Sequence, residues 1–127
     1  MTVAHNRAIV QETLKKEAKM RFFGLKTCDT CRKALKSLGE AGITPEVIDV
    51  RADGVSAEDR AAMISAFGDK VINRASTTWR GLSEDEKAAD PADLIAAHPT
   101  LIKRPVIETN GQWFQGWSKS VQTEILG

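Results

Sequence analysis

The chain has 127 residues and a near-balanced charge, with 18 Lys and Arg against 17 Asp and Glu and a net charge of +1. This length suits one domain with a core of its own. The balance excludes a broad basic field for nucleic acid, and no apolar run reaches the roughly 18 residues that a membrane-spanning helix needs.

Residues 1–19 are polar and mixed in charge, without the apolar middle of a signal peptide. A cytoplasmic setting follows as the expectation. The stretch reads as an N-terminal extension of a domain at 20–127. Residues 11–19 have helical composition, but the extension offers only Ile9, Val10 and Leu14 for burial. Two readings stay open: Met20 is the native start and the extension an added leader, or the extension is a solvated helix lying on the domain.

From Met20 the order of elements is readable. The apolar run at 21–25 predicts a first strand. A first helix follows at 28–41, because Cys31, Ala34, Leu35, Leu38 and Ala41 recur at helical spacing. Gly42 stands just past its end, where a left-handed residue commonly closes a helix. Val47, Ile48 and Val50 mark a second strand at 46–50. A strand–helix–strand crossover makes these two strands parallel. Ser56 with Asp59 three residues on is a capping-box variant. It opens a helix through Met63, Ile64 and Phe67 that Gly68 closes. A short helical turn is expected at 71–73, then helices at 83–88 and 91–97. Asp90 suits the cap of the last and Pro91 its first position. Asn110-Gly111 between 106–109 and 112–115 is a hairpin signal. Trp117, Val121 and Ile125 recur four apart and predict a final helix. The sum is α/β: βαβ, a helical insert, then ββα, a thioredoxin-like layout with a mixed four-stranded sheet.

Both cysteines stand in Cys28-Asp29-Thr30-Cys31, at the junction of the first strand and helix. Unpaired N–H groups and the helix dipole favour negative charge there. The thiolate is the nucleophile, so Cys28 is the candidate attacking group. Lys26, Arg32 and Lys33 add positive charge near it, and Asp29 opposes them. Cys31, one turn on, is the candidate resolving thiol, able to attack a mixed disulfide on Cys28. A lone Cys-x-x-Cys in a reducing compartment points to redox use. The alternative is two free cysteines in a helix. Zinc takes four ligands and only His5 and His98 accompany the thiols, so no metal is expected.

Arg74 and Arg104 are candidate anion contacts, since a guanidinium fork matches an oxyanion or carboxylate. A solvated surface arginine is the alternative for each. Pro105 opens the third strand, where proline is tolerated. The thioredoxin-like layout calls for a cis bond there, opposite the cysteine motif; a trans turn is the alternative. His98 reads as a helix-end residue, and Trp79, Trp113 and Trp117 as packing.

These residues carry a family resemblance. Cys28-Asp29-Thr30-Cys31-Arg32-Lys33-Ala34 resembles the redox motif of the ArsC/Spx family, the glutaredoxin-linked arsenate reductases and their regulator relatives. Two further stretches resemble other blocks of that family: Asn73-Arg74 through Thr77-Thr78-Trp79-Arg80 to Leu82, and His98-Pro99 through Lys103-Arg104-Pro105-Val106. The Thr-Thr-Trp-Arg stretch is most like the YffB-like branch. The resemblance spans about residues 20–127. It implies a thioredoxin fold with a helical insert, Cys28 as the attacking cysteine, and Arg32, Arg74 and the Arg104–Pro105 pair as the substrate-binding set. It also implies glutathione as co-substrate, no bound cofactor, and glutaredoxin or thioredoxin as partner. The chain is expected to act as a monomer on an anionic small molecule or a thiol substrate.

Three departures bear on the substrate. The reductases carry a histidine where this chain has Gly24, and a third arginine where it has Gly116. Where they have another residue, this chain has Cys31, a second cysteine shared with the Spx regulators. One lost charge-assisted contact weakens binding about ten- to a hundredfold. The expected function is therefore a thiol-dependent oxidoreductase, with Cys28 attacking and Cys31 or glutathione resolving, and arsenate itself is disfavoured. The alternatives are an Spx-like redox-switched regulator that binds RNA polymerase, and a domain whose tetrad is vestigial.

Overall fold

The computed structural model describes residues 20–127, and the readings of the N-terminal extension lie outside them. Strand β1 (Arg21–Gly24), helix α1 (Asp29–Glu40) and strand β2 (Glu46–Asp49) form the expected βαβ unit. The two strands pair in parallel, with Phe22 opposite Val47 and Phe23 opposite Ile48. The insert holds helices α2 (Ala57–Phe67), α3 (Thr77–Arg80), α4 (Glu84–Lys87) and α5 (Pro91–Ala97), with tight turns at Gly68–Val71 and Pro99–Leu101. Strands β3 (Val106–Thr109) and β4 (Gln112–Gln115) and helix α6 (Lys119–Leu126) follow. Strand β3 lies antiparallel between β1 and β4, so the order is β2-β1-β3-β4. This is a thioredoxin-like α/β fold with a mixed four-stranded sheet and a helical insert.

Strand side chains alternate between the two faces, and both faces are covered. Phe22 and Ile107 pack with Cys31, Ala34 and Leu38 of α1, and Trp117 and Ile125 close the same layer. Phe23 and Val106 pack on the other face with Met63 of α2 and Leu94 and Ile95 of α5. Central strand β1 is buried on both sides, which is why its apolar residues run consecutively. At the hairpin, Asn110 (φ +52°) and Gly111 (φ +77°) both adopt the left-handed conformation that a two-residue turn needs.

The structure departs from the sequence reading at four places. The turn expected at 71–73 forms earlier, at Gly68–Val71, because Ile72 is extended and bridges Ile102. Helix α3 had no periodic apolar signal; Ser76 starts it by accepting from the Trp79 N–H. Trp117 lies outside the final helix, since Gly116 turns the chain (φ +82°) and Ser118 caps α6 by accepting from the Val121 N–H. Ser56 caps α2 by accepting from the Asp59 N–H, but the Asp59 carboxylate turns to Arg21 rather than back to the cap. The complete reciprocal capping box is at Ser83 and Glu86, opening α4.

Arg21 is the side chain that ties the layers together. Its Nη1 and Nη2 donate to both Asp59 oxygens on α2 at 2.9 and 3.1 Å, and its Nε donates to Glu108 Oε1 on β3 at 2.8 Å. The guanidinium also lies 5.2 Å from the Phe23 ring centre and 5.6 Å from that of Trp113. All three charged groups are largely covered, so each depends on the others. Replacing Arg21 by Met keeps the stem against the rings but leaves two carboxylates unpaired. Arg21→Met is expected to lower unfolding stability by about 2 kcal/mol, read from urea denaturation.

Candidate functional site

Cys28 is the N-cap of α1, with an extended backbone (φ −88°, ψ 118°). Its carbonyl accepts from the Arg32 N–H at 3.0 Å, and its own N–H donates to Leu25 O at 3.2 Å. The sulfur thus stands where the first-turn N–H groups of α1 have no helical acceptor. The neutral thiol makes no capping bond there, whereas the thiolate gains acceptor capacity. Partial burial of Cys28 works against its charge, but the N–H and S–H of Cys31 and the Arg104 guanidinium outweigh it. They hold the Cys28 thiol below its ordinary 9.0.

Cys31 behaves in the opposite way. It is wholly buried against Phe22, Ala34 and Leu38. Burial, reinforced by the neighbouring Cys28 sulfur, outweighs the Leu25 N–H and pushes the Cys31 thiol up to about 12. The two sulfurs are free. Of the pair, Cys28 loses its proton first and Cys31 keeps its own as the hydrogen donor.

The third wall is the entry to β3. The Arg104–Pro105 peptide is cis, and Pro105 is buried with its carbonyl accepting from the Gly116 N–H at 2.8 Å. The insert braces this segment: Asn73 N–H donates to Leu101 O, and Lys103 N–H to Val71 O, both at 2.8 Å. Arg104 Nη1 donates to Thr100 O at 2.6 Å, which anchors one edge of the guanidinium. Its Nε is buried without a partner, and so is Gln115 Oε1. Gln115 pairs with Val106 across β3 and β4, next to the cis-proline. Buried polar groups are normally satisfied, and of these two it is Arg104 that stands beside the Cys28 sulfur. Sequence reading did not single out Gln115; a polar residue in register with an inward-facing valine was its one signal.

The structure brings Cys28, Cys31, Arg104 and Pro105 together. Arg32 and Arg74 are engaged elsewhere. Arg32 pairs with Asp29 on the exposed side of α1 and lines a cavity of about 320 Å³ with Gly24, Lys26 and Val47. Arg74 is exposed and stacks on Trp79 at 5.2 Å, with Lys87 at 5.6 Å from the same ring. Lys26 helps keep the exposed Asp49 carboxylate below its usual range, behind the stronger effect of the Ala52 N–H. The cation that acts on Cys28 is thus Arg104, distant in sequence, in place of the neighbouring Lys26, Arg32 and Lys33. His98 ends α5, 3.7 Å from Glu86, a helix-end residue as read. Among the described residues, no three His, Cys, Asp or Glu gather as a metal site, and no helix is long and apolar enough to cross a membrane.

The chain matches the family model described as the ArsC family over residues 23–124. It is 37% identical over 102 residues to an uncharacterized protein of Haemophilus influenzae, covering 76% of this chain and 90% of that one. Among solved structures it is similar to the YFFB (PA3664) protein, with a TM-score of 0.80 and 33% identity over 86% of this chain and 100% of the other. An arsenate reductase (ArsC) related protein from Brucella melitensis has a TM-score of 0.66 and 32% identity over 84% of this chain and 92% of its own.

Two outcomes follow from the thiol environments. Arg104→Met keeps the stem but removes the cation, so Cys28 alkylation by iodoacetamide at pH 7 is expected to slow about tenfold. Cys31 is neutral in the fold and its pKa is raised from 9.0 to about 12. Its contribution to stability is full below pH 9 and is lost as pH rises from there toward 12. Denaturant titrations across that window are expected to show a loss of up to about 1.4 kcal/mol per pH unit that Cys31→Ala lacks.

Proposed function

Because the chain belongs to the ArsC family, we propose that it is a thiol-dependent reductase acting on disulfides of glutathione or of small cysteine-containing molecules. The observation that carries this reading is the pairing of a stabilised Cys28 thiolate with the Arg104 guanidinium beside it. The Cys28 thiolate attacks one sulfur of the substrate disulfide. A Cys28–sulfur bond forms, the substrate S–S bond breaks, and the second half leaves as a thiolate that takes a proton from solvent. In the second step either Cys31 attacks the Cys28 sulfur, freeing the first half as a thiol and leaving a Cys28–Cys31 disulfide, or an external thiol attacks the first half's own sulfur, leaving with it as a disulfide and restoring the Cys28 thiolate.

Two thiols compete for that second step. Cys31 is adjacent, and its attack leaves a Cys28–Cys31 disulfide that two glutathione thiols reduce, forming glutathione disulfide. Its raised pKa makes it a reluctant nucleophile while Cys28 is charged. Once Cys28 is in a mixed disulfide that charge is gone, but the burial remains. External glutathione, attacking from the open side, is therefore the faster resolving thiol in this reading. The Arg104 guanidinium, one edge of which is held by Thr100 O, offers its charge to an anionic group of the substrate, such as a glutathione carboxylate. Arsenate fits less well, because Arg104 is the arginine that acts on Cys28, and Gly24 and Gly116 stand where the reductases carry a histidine and a third arginine.

The test is steady-state turnover with a glutathionylated peptide, glutathione disulfide and arsenate, in glutathione with glutaredoxin. The peptide mixed disulfide is expected to turn over and arsenate to be slower by at least about tenfold. Cys28→Ser is expected to abolish turnover, and Cys31→Ser to retain most of it when glutathione is in excess. Absence of Cys28-dependent turnover on all three substrates would sink the reading.

A further inference from the structure

Gly24 is the last residue of β1 and lies opposite Asp49 in the parallel register. Its carbonyl accepts from the Val50 N–H at 3.1 Å, so its backbone is held in the sheet. Its φ is not positive, so nothing in the backbone conformation demands a glycine. A glycine inside a strand weakens it, and such a residue commonly marks a close approach by another group. Here the approaching group is a sulfur. A methyl group at position 24 would stand 2.7 Å from Cys31 Sγ, 2.9 Å from Phe22 Cε1 and 3.4 Å from Cys31 Cβ. Both Cys31 and Phe22 are wholly buried, so the neighbours have little room to yield.

We propose that Gly24 is a positioning residue of the dithiol: its missing side chain is the space in which the Cys31 sulfur sits, facing Cys28 as a hydrogen donor. This rests on the reading of Cys28 as the attacking thiol. A side chain at 24 and the buried thiol at 31 compete for the same volume. The groups facing Cys28 are then Cys31 from α1 and Arg104 from the entry to β3, with the Leu25 N–H facing Cys31. Asp29 and Arg32 pair with each other on the exposed side of α1.

A double-mutant cycle tests this with Gly24→Ala, Cys31→Ala and the two combined. The readout is the pH dependence of iodoacetamide alkylation at Cys28, localised by mass spectrometry, beside the thermal midpoint of each protein. Gly24→Ala is expected to slow Cys28 alkylation at pH 7 about tenfold, as Cys31→Ala does, because each removes the same donor. The combined variant is expected to be no slower than Cys31→Ala alone, and Gly24→Ala to lower the thermal midpoint less in that background, where the sulfur is gone. The displaced Phe22 edge is common to both backgrounds and cancels in the cycle. A folded Gly24→Ala protein with the parent's alkylation profile overturns the proposal, and so does a combined variant slowed by the product of the single effects. If Gly24→Ala alone does not fold, a folded combined variant supports the proposal and an unfolded one overturns it. Alkylation needs no substrate, so these outcomes are separate from the turnover assays. A parent Cys28 no more reactive at pH 7 than free cysteine would count instead against the reading of Cys28 as the attacking thiol.

Discussion

The antiparallel pairing of β1 with β3 is the constraint on which the rest of the site depends. It sets the chain's exit from β1 beside its entry into β3. The exit carries Leu25 through Cys28 into α1, and the entry carries Arg104 and Pro105. A helix N-terminus, two sulfurs and a guanidinium meet there without any of them being near in sequence to Arg104. The pairing is itself held by burial of β1 on both faces and by Arg21, which ties β1 to Glu108 on β3 and Asp59 on α2.

Around that junction the two cysteines become unlike. Both are ordinary thiols as residue types, and three positions on a helix separate them. One stands at the helix start, part exposed, where N–H groups lack acceptors. The other is one turn in, under Phe22 and Leu38, where charge is costly. Each then amplifies the difference in the other: the buried thiol keeps its proton and offers it, and the outer sulfur accepts it. The asymmetry is therefore a property of the pair and its burial, not of either cysteine's local sequence. The same burial that makes Cys31 a good donor makes it a slow nucleophile, which leaves room for an external thiol in the proposed cycle.

The arginines show the limits of counting charges along a chain. Three of the four arginines within the motif blocks were expected at the site, and a guanidinium can serve several partners. Arg32 is three residues from Asp29 on α1, the spacing at which helix side chains meet, so it closes on that carboxylate. Arg74 lies against the indole of Trp79. Only Arg104 is drawn inward, because Thr100 O holds one edge of it and the insert braces the segment. Of the three arginines expected at the site, Arg104 is the one that acts on Cys28.

The sequence by itself determined most of the elements and the placement of the cysteine tetrad at a strand–helix junction. Helical spacing in α1, the Asn110-Gly111 turn and the paired cysteines are local signals, readable because each depends on residues a few positions apart. The same locality explains the misplacements: Trp117 has helical spacing with Val121, yet Gly116 and the Ser118 cap start the helix after it. Only the tertiary structure decided which arginine faces Cys28, that Asp59 serves Arg21 rather than its own helix cap, and why position 24 has no side chain. Those outcomes turn on distances between segments far apart in the chain. A sulfur packed where a methyl group at position 24 would lie 2.7 Å away is a relation between a strand and a helix, and no local pattern encodes it.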